Sequence, residues 1–521
     1  MCANAEEMAQ FQKEISISEF FEKNRHLLGY DNKIKALLTI VKEAVDNALD
    51  ACEEARILPD IYLQIKQVDE EKYEIIIQDN GPGIVEKQIP KIFGKLLYGS
   101  KFHRHRQSRG QQGIGISGVV LYAQLTTGMP TVIESAIGDG NIHNYKLRIE
   151  VGRNEPKIVE KSTNPETEGW RGTRLRFVVE AVYREHKQSV LEYLRQTAIA
   201  NPFANITFDS PNGRNEFKRG IDFLPKEPKA IQPHLEGVEI GILSRMAHQT
   251  VARTVENFFI EDFTRVGKVT AGDICSKAGV DPKTKPKSLT HEDFEKLIKA
   301  IKKVKLINPP MDCLSPLGTE AVISGLKKEL DPIWVDAVVR SPSVYRGWPF
   351  QIEVGIAYGG SVKESKVMRL ANRVPLLYMA GDCAITKSVN QIDWKNYKLS
   401  SKDLSEDPIS IFVHMVSVWV PFTSESKEAV ASYPEIIKEI KLALQECARK
   451  LGLFLSGQIK AREVHERKKT LEKYVDDIAT ALSNLSGEER AKIEKAMMEM
   501  IKWRWGDIDE QRDGKEPKED G

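Results

Sequence analysis

Apolar positions recur with helical spacing over residues 32–55. Ile34, Leu37, Leu38, Val41, Val45, Ala48 and Leu49 fall on one side of a 3.6-residue repeat, and Pro59 follows the break. The spacing predicts one long amphipathic helix. The pattern then changes. Residues 73–78 form a short apolar run that reads as a buried strand, ended by Asp79-Asn80-Gly81-Pro82-Gly83, and further strand-like runs occupy 131–135, 144–151 and 173–179. One helix followed mostly by strands predicts an α+β layered sandwich rather than alternating βαβ units. Residues 226–233, rich in Pro and Lys, read as a linker, and 243–305 is mainly helical. Its last helix opens on a capping box, Thr290 with Asp293, and carries the stripe Phe294, Leu297, Ile298, Ile301 and Val304 before Asn308-Pro309-Pro310 ends it. Residues 313–424 mix helical and strand-like stretches, 427–505 read as long charged helices, and 507–521 as a polar, disordered tail.

Composition narrows the class. Hydrophobic residues make up 41% of the 521, enough for real cores, and Lys plus Arg (76) nearly balance Asp plus Glu (75). A constitutive DNA coat protein is far more basic, so any DNA contact is expected to be local or conditional. The six cysteines form no C-x-x-C pair, which suits neither a zinc knuckle nor a disulfide framework and favours a reducing compartment. Residues 1–18 carry no signal-like apolar run, and the most apolar stretch, 411–422, contains His414 and Pro421 and is too short to span a bilayer. A soluble intracellular protein is expected.

Four short motifs carry chemistry. Glu43, Asn47 and Asp50 stand at i, i+4 and i+7 of the long helix and share one face. The amide oxygen of Asn47 can complete a magnesium shell without adding charge, leaving the Glu43 carboxylate as a base; by itself the row also reads as a solvated polar face. Asp79, at a strand end, can accept from the exocyclic amine of adenine, and Gly81 and Gly83 let a base approach the backbone; an ordinary turn is the plain alternative. Gly99-Ser100-Lys101 leads to Arg109-Gly110-Gln111-Gln112-Gly113-Ile114-Gly115-Ile116-Ser117-Gly118, where glycines at a helix start expose N–H groups to phosphates. Residues 113–118 also fit G-x-G-x-x-G, but a basic loop precedes them instead of a strand, which argues against a dinucleotide fold. Finally, Thr173, after Gly172, offers a hydroxyl to back up Asp79 through water, or is a plain strand threonine.

In this order the four motifs resemble the gyrase, heat-shock chaperone, histidine-kinase and MutL (GHKL) ATPases, a match that runs to about residue 220. The resemblance implies a Bergerat-type α/β sandwich. In it Glu43 polarises the attacking water, Asn47 binds magnesium and Asp79 reads adenine. Gly83, Ser100, Lys101, Arg109, Gly110, Gln111, Gln112, Gly113, Ile114, Gly115, Ile116 and Thr173 complete the ATP site. Beyond it the chain resembles the B subunits of type IIB DNA topoisomerases (topoisomerase VI). The implied division is an N-terminal strap, 1–30, that packs on a partner protomer; an ATPase domain, 31–228; a helix-two-turn-helix domain, 229–306; an α/β transducer domain, 307–470; C-terminal helices, 471–506; and a tail, 507–521. Residues 391–397 look like a family stretch, and Lys427 matches the switch lysine that reaches the γ-phosphate and shares in catalysis.

That resemblance implies an ATP-hydrolysing, magnesium-dependent subunit of an archaeal-type heterotetramer, cytoplasmic and nucleoid-associated, without membrane contact. ATP drives its self-dimerisation. The closed gate captures double-stranded DNA for passage through a break made by a separate A subunit, relaxing supercoils and decatenating. Two departures stand out: Met129 where lysine is expected and Leu235 where proline is usual. Rival clamps of the MutL or chaperone type lack the helical insert. A histidine kinase needs a phospho-accepting histidine upstream, where only His26 stands, and a DNA-binding module resting on the lysines of 283–305 competes with a solvated helix face. No acidic D-x-D cluster paired with a cleavage tyrosine motif is found, so cutting is expected of a separate chain.

Overall fold

A computed structural model describes residues 14–99, 104–110, 113–424 and 426–505. These fall into two compact units, one running to Asp393 and again over Asp403–Cys447, the other comprising Trp394–Lys402 and the chain from Ala448 on.

The first unit is α+β, as the pattern predicts. The long helix spans Lys33–Glu54; the Asn32 side chain caps it by accepting from the Lys35 N–H, and Leu37, Val41, Val45 and Leu49 are buried. It lies with helices Gly115–Thr127 and Val190–Ala200 against an eight-stranded sheet. The strands are β1 (Asp60–Asp69), β2 (Lys72–Gln78), β3 (Thr131–Ala136), β4 (Asn141–Glu150), β5 (Glu155–Pro165), β6 (Gly172–Glu180), β7 (Asn205–Ser210) and β8 (Gly213–Phe217). Their order is β5-β4-β3-β6-β2-β1-β7-β8, with β1 and β7 parallel and every other neighbouring pair antiparallel. Period-two burial sets the register. In β2, Tyr73, Ile75 and Ile77 turn to the core while their neighbours are half-exposed. The apolar stretch of 73–78 is thus a central strand.

Ahead of the long helix, Ser16 and Glu19 form a capping box for helix Ile17–Lys23. Phe21 is buried against Tyr30, which stacks on Tyr122, so this part of the expected strap sits on its own protomer. Residues 1–13 of that strap lie outside the described residues, as does the tail 507–521.

Helices Ile240–Gln249, Val255–Asp262, Lys268–Ala278 and His291–Ile301 close a core of their own around Phe258, Phe259, Phe263 and Phe294. The Thr290–Asp293 capping box is formed. Leu235, the unusual residue, is buried in this core, where its side chain makes packing contacts that a proline ring would fill differently. Met129 is half exposed, and its N–H donates to the Thr127 hydroxyl at 3.3 Å.

A second sheet follows: β9 (Trp334–Val339), β10 (Ser343–Tyr345), β11 (Trp348–Tyr358), β12 (Lys366–Ala371), β13 (Val374–Pro375) and β14 (Ile409–Ser417), ordered β10-β11-β14-β12-β13 with β9 also on β11. Every residue of β14 is buried, which accounts for the apolar run near 411–422. No helix among the described residues is long and apolar enough to cross a membrane.

One sequence expectation is corrected. The C-terminal helix begins at Pro434, not at 427. The intervening segment is closed instead by a bridge between Phe422 and Val430 and by hydrogen bonds from Thr423 N to Ala429 O (2.9 Å) and from Ala431 N to Pro421 O (2.7 Å). Lys427 sits within this loop at φ +54°, a conformation no helix residue adopts. Helix Pro434–Ser486 then runs 53 residues, and Arg490–Trp505 follows.

Candidate nucleotide site

The long helix lays out the site. Glu43 and Asn47 are one turn apart, and Asn47 Nδ2 donates to the Glu43 carbonyl at 2.6 Å. The exposed carboxamide therefore keeps its oxygen as the end that can bind a cation. Opposite stands the start of helix Gly115–Thr127. No side chain caps it, so its first-turn N–H groups are left to whatever lies in front of them. A Cβ on Gly115 would overlap Glu43 Oε2; glycine at that position lets the carboxylate lie directly against the helix end.

Between them is a cavity of about 580 Å³ lined by Glu43, Asn47, Gly99, Gly110 and residues 113–118. Ile114 and Ile116 are thus placed beside Gly113 and Gly115, as the motif requires. The wall across from the helix comes from the second sheet: residues 375–378 and the loop bearing Lys427 and Glu428. Burial depresses the Lys427 ammonium, and the Glu43 carboxylate pulls it back up. Glu428 is tied to Lys35 at 2.7 Å, which anchors the lysine loop to the first turn of the long helix. A cation, a carboxylate and a row of helix-end amides facing one cavity can hold a polyphosphate and activate water against it. Ser100, Lys101, Gln111 and Gln112 lie outside the described residues.

Asp79, Gly83 and Thr173 are not among the cavity's lining. They form a second cluster farther along the same helix. Gly81 brings the Asp79 turn to the side of Ala51 and Cys52. Eight residues separate Glu43 from Ala51, about 12 Å of helix. Asp79 Oδ1 accepts from Gly81 N at 2.9 Å and Thr173 N at 3.1 Å, and the Asp79 N–H donates to the Thr173 carbonyl. Burial pushes the Asp79 carboxyl up to about 6, against the pull of those two N–H donors. Thr173 thus supports Asp79 through its backbone. Gly172, at φ +142°, passes so close that a Cβ would overlap the Asp79 carbonyl, and Gly83 abuts Ala136.

Arg109 is placed elsewhere than the phosphate cradle. Its buried guanidinium bonds Asp50 at 2.7 Å, Glu53 at 2.5 Å and Asn201 at 2.5 Å. Burial alone would lower its affinity for a proton; Glu53 and Asp50 outweigh that and raise it. By its place in the chain Arg109 reads as one more residue facing the phosphates. Asp50 and Glu53, three residues apart on the helix, capture it from behind. Asp46 also escapes the motif reading: it is buried, accepts from Tyr193 Oη at 2.9 Å and is pushed up to about 7 by desolvation. Its place between Glu43 and Asp50 on an otherwise apolar flank is the one signal the sequence offers for it.

Comparison with known proteins matches two parts of the chain to families. The family model described as histidine kinase-, DNA gyrase B- and HSP90-like ATPase matches residues 32–180, and that of the topoisomerase VI B subunit transducer matches 309–468. The chain is 46% identical over 518 residues to the B subunit of type 2 DNA topoisomerase 6 from Archaeoglobus fulgidus, covering 97% of this chain and 85% of that one. With the protein of the same name from Methanosarcina barkeri it shares 47% over 492 residues, 92% of this chain and 79% of the other. For that from Pyrococcus horikoshii the figures are 42% over 547 residues and 96% of each.

Proposed function

This chain belongs to the family of type 2 DNA topoisomerase 6 B subunits, and on that premise we propose that the cavity under residues 113–118 receives the triphosphate of ATP while Asp79 holds the adenine. The chain is the ATPase subunit of a type II topoisomerase. The observation that carries the site assignment is the Glu43 carboxylate lying against the uncapped helix end at Gly115, in one cavity with Lys427.

In this reading the helix-end N–H groups bind phosphate oxygens, Glu43 takes a proton from the attacking water and Lys427 bonds the γ-phosphate. The roughly 12 Å between Glu43 and Ala51 suits the span from γ-phosphate to base. Magnesium, held by the Asn47 oxygen, would neutralise phosphate charge. The fit is of the right kind: a single neutral oxygen ligand leaves the remaining positions to phosphates and water, and the described residues contain no cluster of three or more His, Cys, Asp or Glu able to hold a metal alone. We further propose a DNA-cleaving A subunit as partner, ATP-driven pairing of two B subunits that encloses a duplex, and the domain division given above.

Glu43→Gln tests the core of this. The variant should bind ATP normally and turn over about 10²–10⁴-fold more slowly, the usual worth of general-base help. Hydrolysis above roughly a tenth of the wild-type rate would remove Glu43 from the base role.

A further inference from the structure

Behind the nucleotide cavity lies a buried polar chain that ATP chemistry does not require. The turn joining β12 to β13 is Asn372-Arg373, with φ +47° and +67° and both side chains buried. Asn372 reaches two ways. Its Nδ2 donates to the Ser108 carbonyl at 3.0 Å and the Ser417 carbonyl at 2.9 Å, while its Oδ1 accepts from Ser417 N at 2.9 Å. Ser108 lies in the described segment 104–110, and Ser417 ends β14. Arg373 Nη2 stands 3.0 Å from Glu53 Oε2, whose other oxygen holds Arg109.

The chain continues inward. The Arg373 N–H donates to His414 Nε2 at 2.8 Å, so the histidine proton sits on Nδ1, which faces Glu353 Oε2 at 2.7 Å. Glu353, fully buried, also accepts the N–H groups of Leu317 (3.1 Å) and Gly318 (2.8 Å), at the start of helix Thr319–Leu330. Gln107 adds two stitches to the segment before that helix, donating its N–H to the Cys313 carbonyl at 3.1 Å and accepting from Ser315 N at 2.6 Å.

Apolar side chains would pack a sheet at less desolvation cost than buried Arg–Glu and His–Glu pairs. What the polar chain supplies is register between two particular segments. Residues 104–110 lead toward the glycines that line the cavity. β14 runs into the loop of Lys427. We propose that the Asn372-Arg373 turn is the positioning element that couples residues 104–110 to β14 and the Lys427 loop, with Asn372 acting through Ser108 and Arg373 through Glu53. The proposal rests on the nucleotide reading above. It adds the turn to the lysine as a connection between the nucleotide site and the second sheet.

The test is hydrogen exchange on the full chain, with and without a non-hydrolysable ATP analogue and magnesium. It compares wild type with Asn372→Gly, Arg373→Met and Arg373→Lys. Glycine keeps the left-handed turn while deleting all three side-chain bonds to Ser108 and Ser417, so Asn372→Gly remains informative should Arg373→Met fold poorly. The analogue should protect residues 104–110 in every variant. It should protect the Lys427 loop in wild type and Arg373→Lys, and not in Asn372→Gly or Arg373→Met. In steady state the two impaired variants should lose up to about 10²-fold in kcat, the cost of a small misplacement, with KM for ATP within about threefold. A loop that responds in all variants as in wild type overturns the linkage and leaves the nucleotide site standing. Protection of neither segment in wild type overturns the nucleotide reading and the linkage with it.

Discussion

Asp79 shows how far a single residue's meaning depends on its surroundings. Free in water its carboxyl would titrate near 3.8, and burial raises it to about 6. The sign of the linkage follows. Between those values the unfolded chain ionises while the native one keeps its proton, so native stability declines as pH rises through that window, by about 3 kcal/mol at 1.4 kcal/mol per unit. Above 6 both are charged and the loss is complete. The fold thus tolerates a cost at neutral pH, where an ionised acceptor is what the adenine amine needs. ATP affinity should fall as pH drops from 7 to 5, by about tenfold beyond any change in Asp79→Asn, whose weaker binding should follow only the titration of the nucleotide. Calorimetric titration of both proteins over that range decides it; parallel pH profiles would remove Asp79 from adenine recognition. The residue types at Glu43, Asn47 and Asp79 were legible because their spacing is local. Asp46, Glu53, Asn372, Arg373 and His414 were not, because each is defined by a partner far along the chain, and no local pattern marks such a pair.

Elements were easier to read where one period dominated. The Lys33–Glu54 helix and the β2 and β6 strands lie within a residue or two of their apolar patterns. Strand β5, exposed along almost its whole length, has no such pattern and went unseen, as did helix Val190–Ala200, whose cap at Ser189 follows a polar loop. The helix start at Gly115 was visible as glycines, but its function is a matter of contact: the Glu43 carboxylate occupies the space a side chain would take. Gly115→Ala should therefore push Glu43 or the helix end out of place. ATP hydrolysis should fall by about 10²-fold, the scale of a misplaced catalytic group, while the helix itself gains in propensity. Gly241→Ala, in a helix where nothing lies within 4 Å of the added carbon, is the matched control and should leave hydrolysis unchanged. Equal activity in the two variants would show that the contact between Glu43 and the helix end is immaterial.

At the scale of the whole molecule, the second sheet reaches the cavity through residues 375–378 and the loop that follows β14. The charged run after 427 reads as helix, yet the helix waits until Pro434, and Lys427 is held in a bridged loop facing Glu43. The sequence pattern started the helix at Lys427, the residue that matches the switch lysine. The observed loop gives it a fixed backbone and a depressed proton affinity, both of which belong to a cation pointed into a site. Only ATP, not ADP, offers a γ-phosphate, so a lysine bonded there distinguishes the two and biases the position of the second sheet. Removing one preorganised charge from a phosphoryl transition state costs on the order of 10²–10³-fold in rate. Lys427→Ala should lose that much ATPase activity and lose supercoil relaxation with it, while adenine binding persists. Both lysine and alanine must adopt the same left-handed φ there, so the substitution adds no backbone strain of its own. Lys438, inside helix Pro434–Ser486, is the control: Lys438→Ala should change little, as surface substitutions do. ATPase and relaxation assays on both, reconstituted with the cleaving subunit, separate the possibilities, since equal losses at the two lysines, or near-normal activity at Lys427, would leave the second sheet without its sensor of the γ-phosphate.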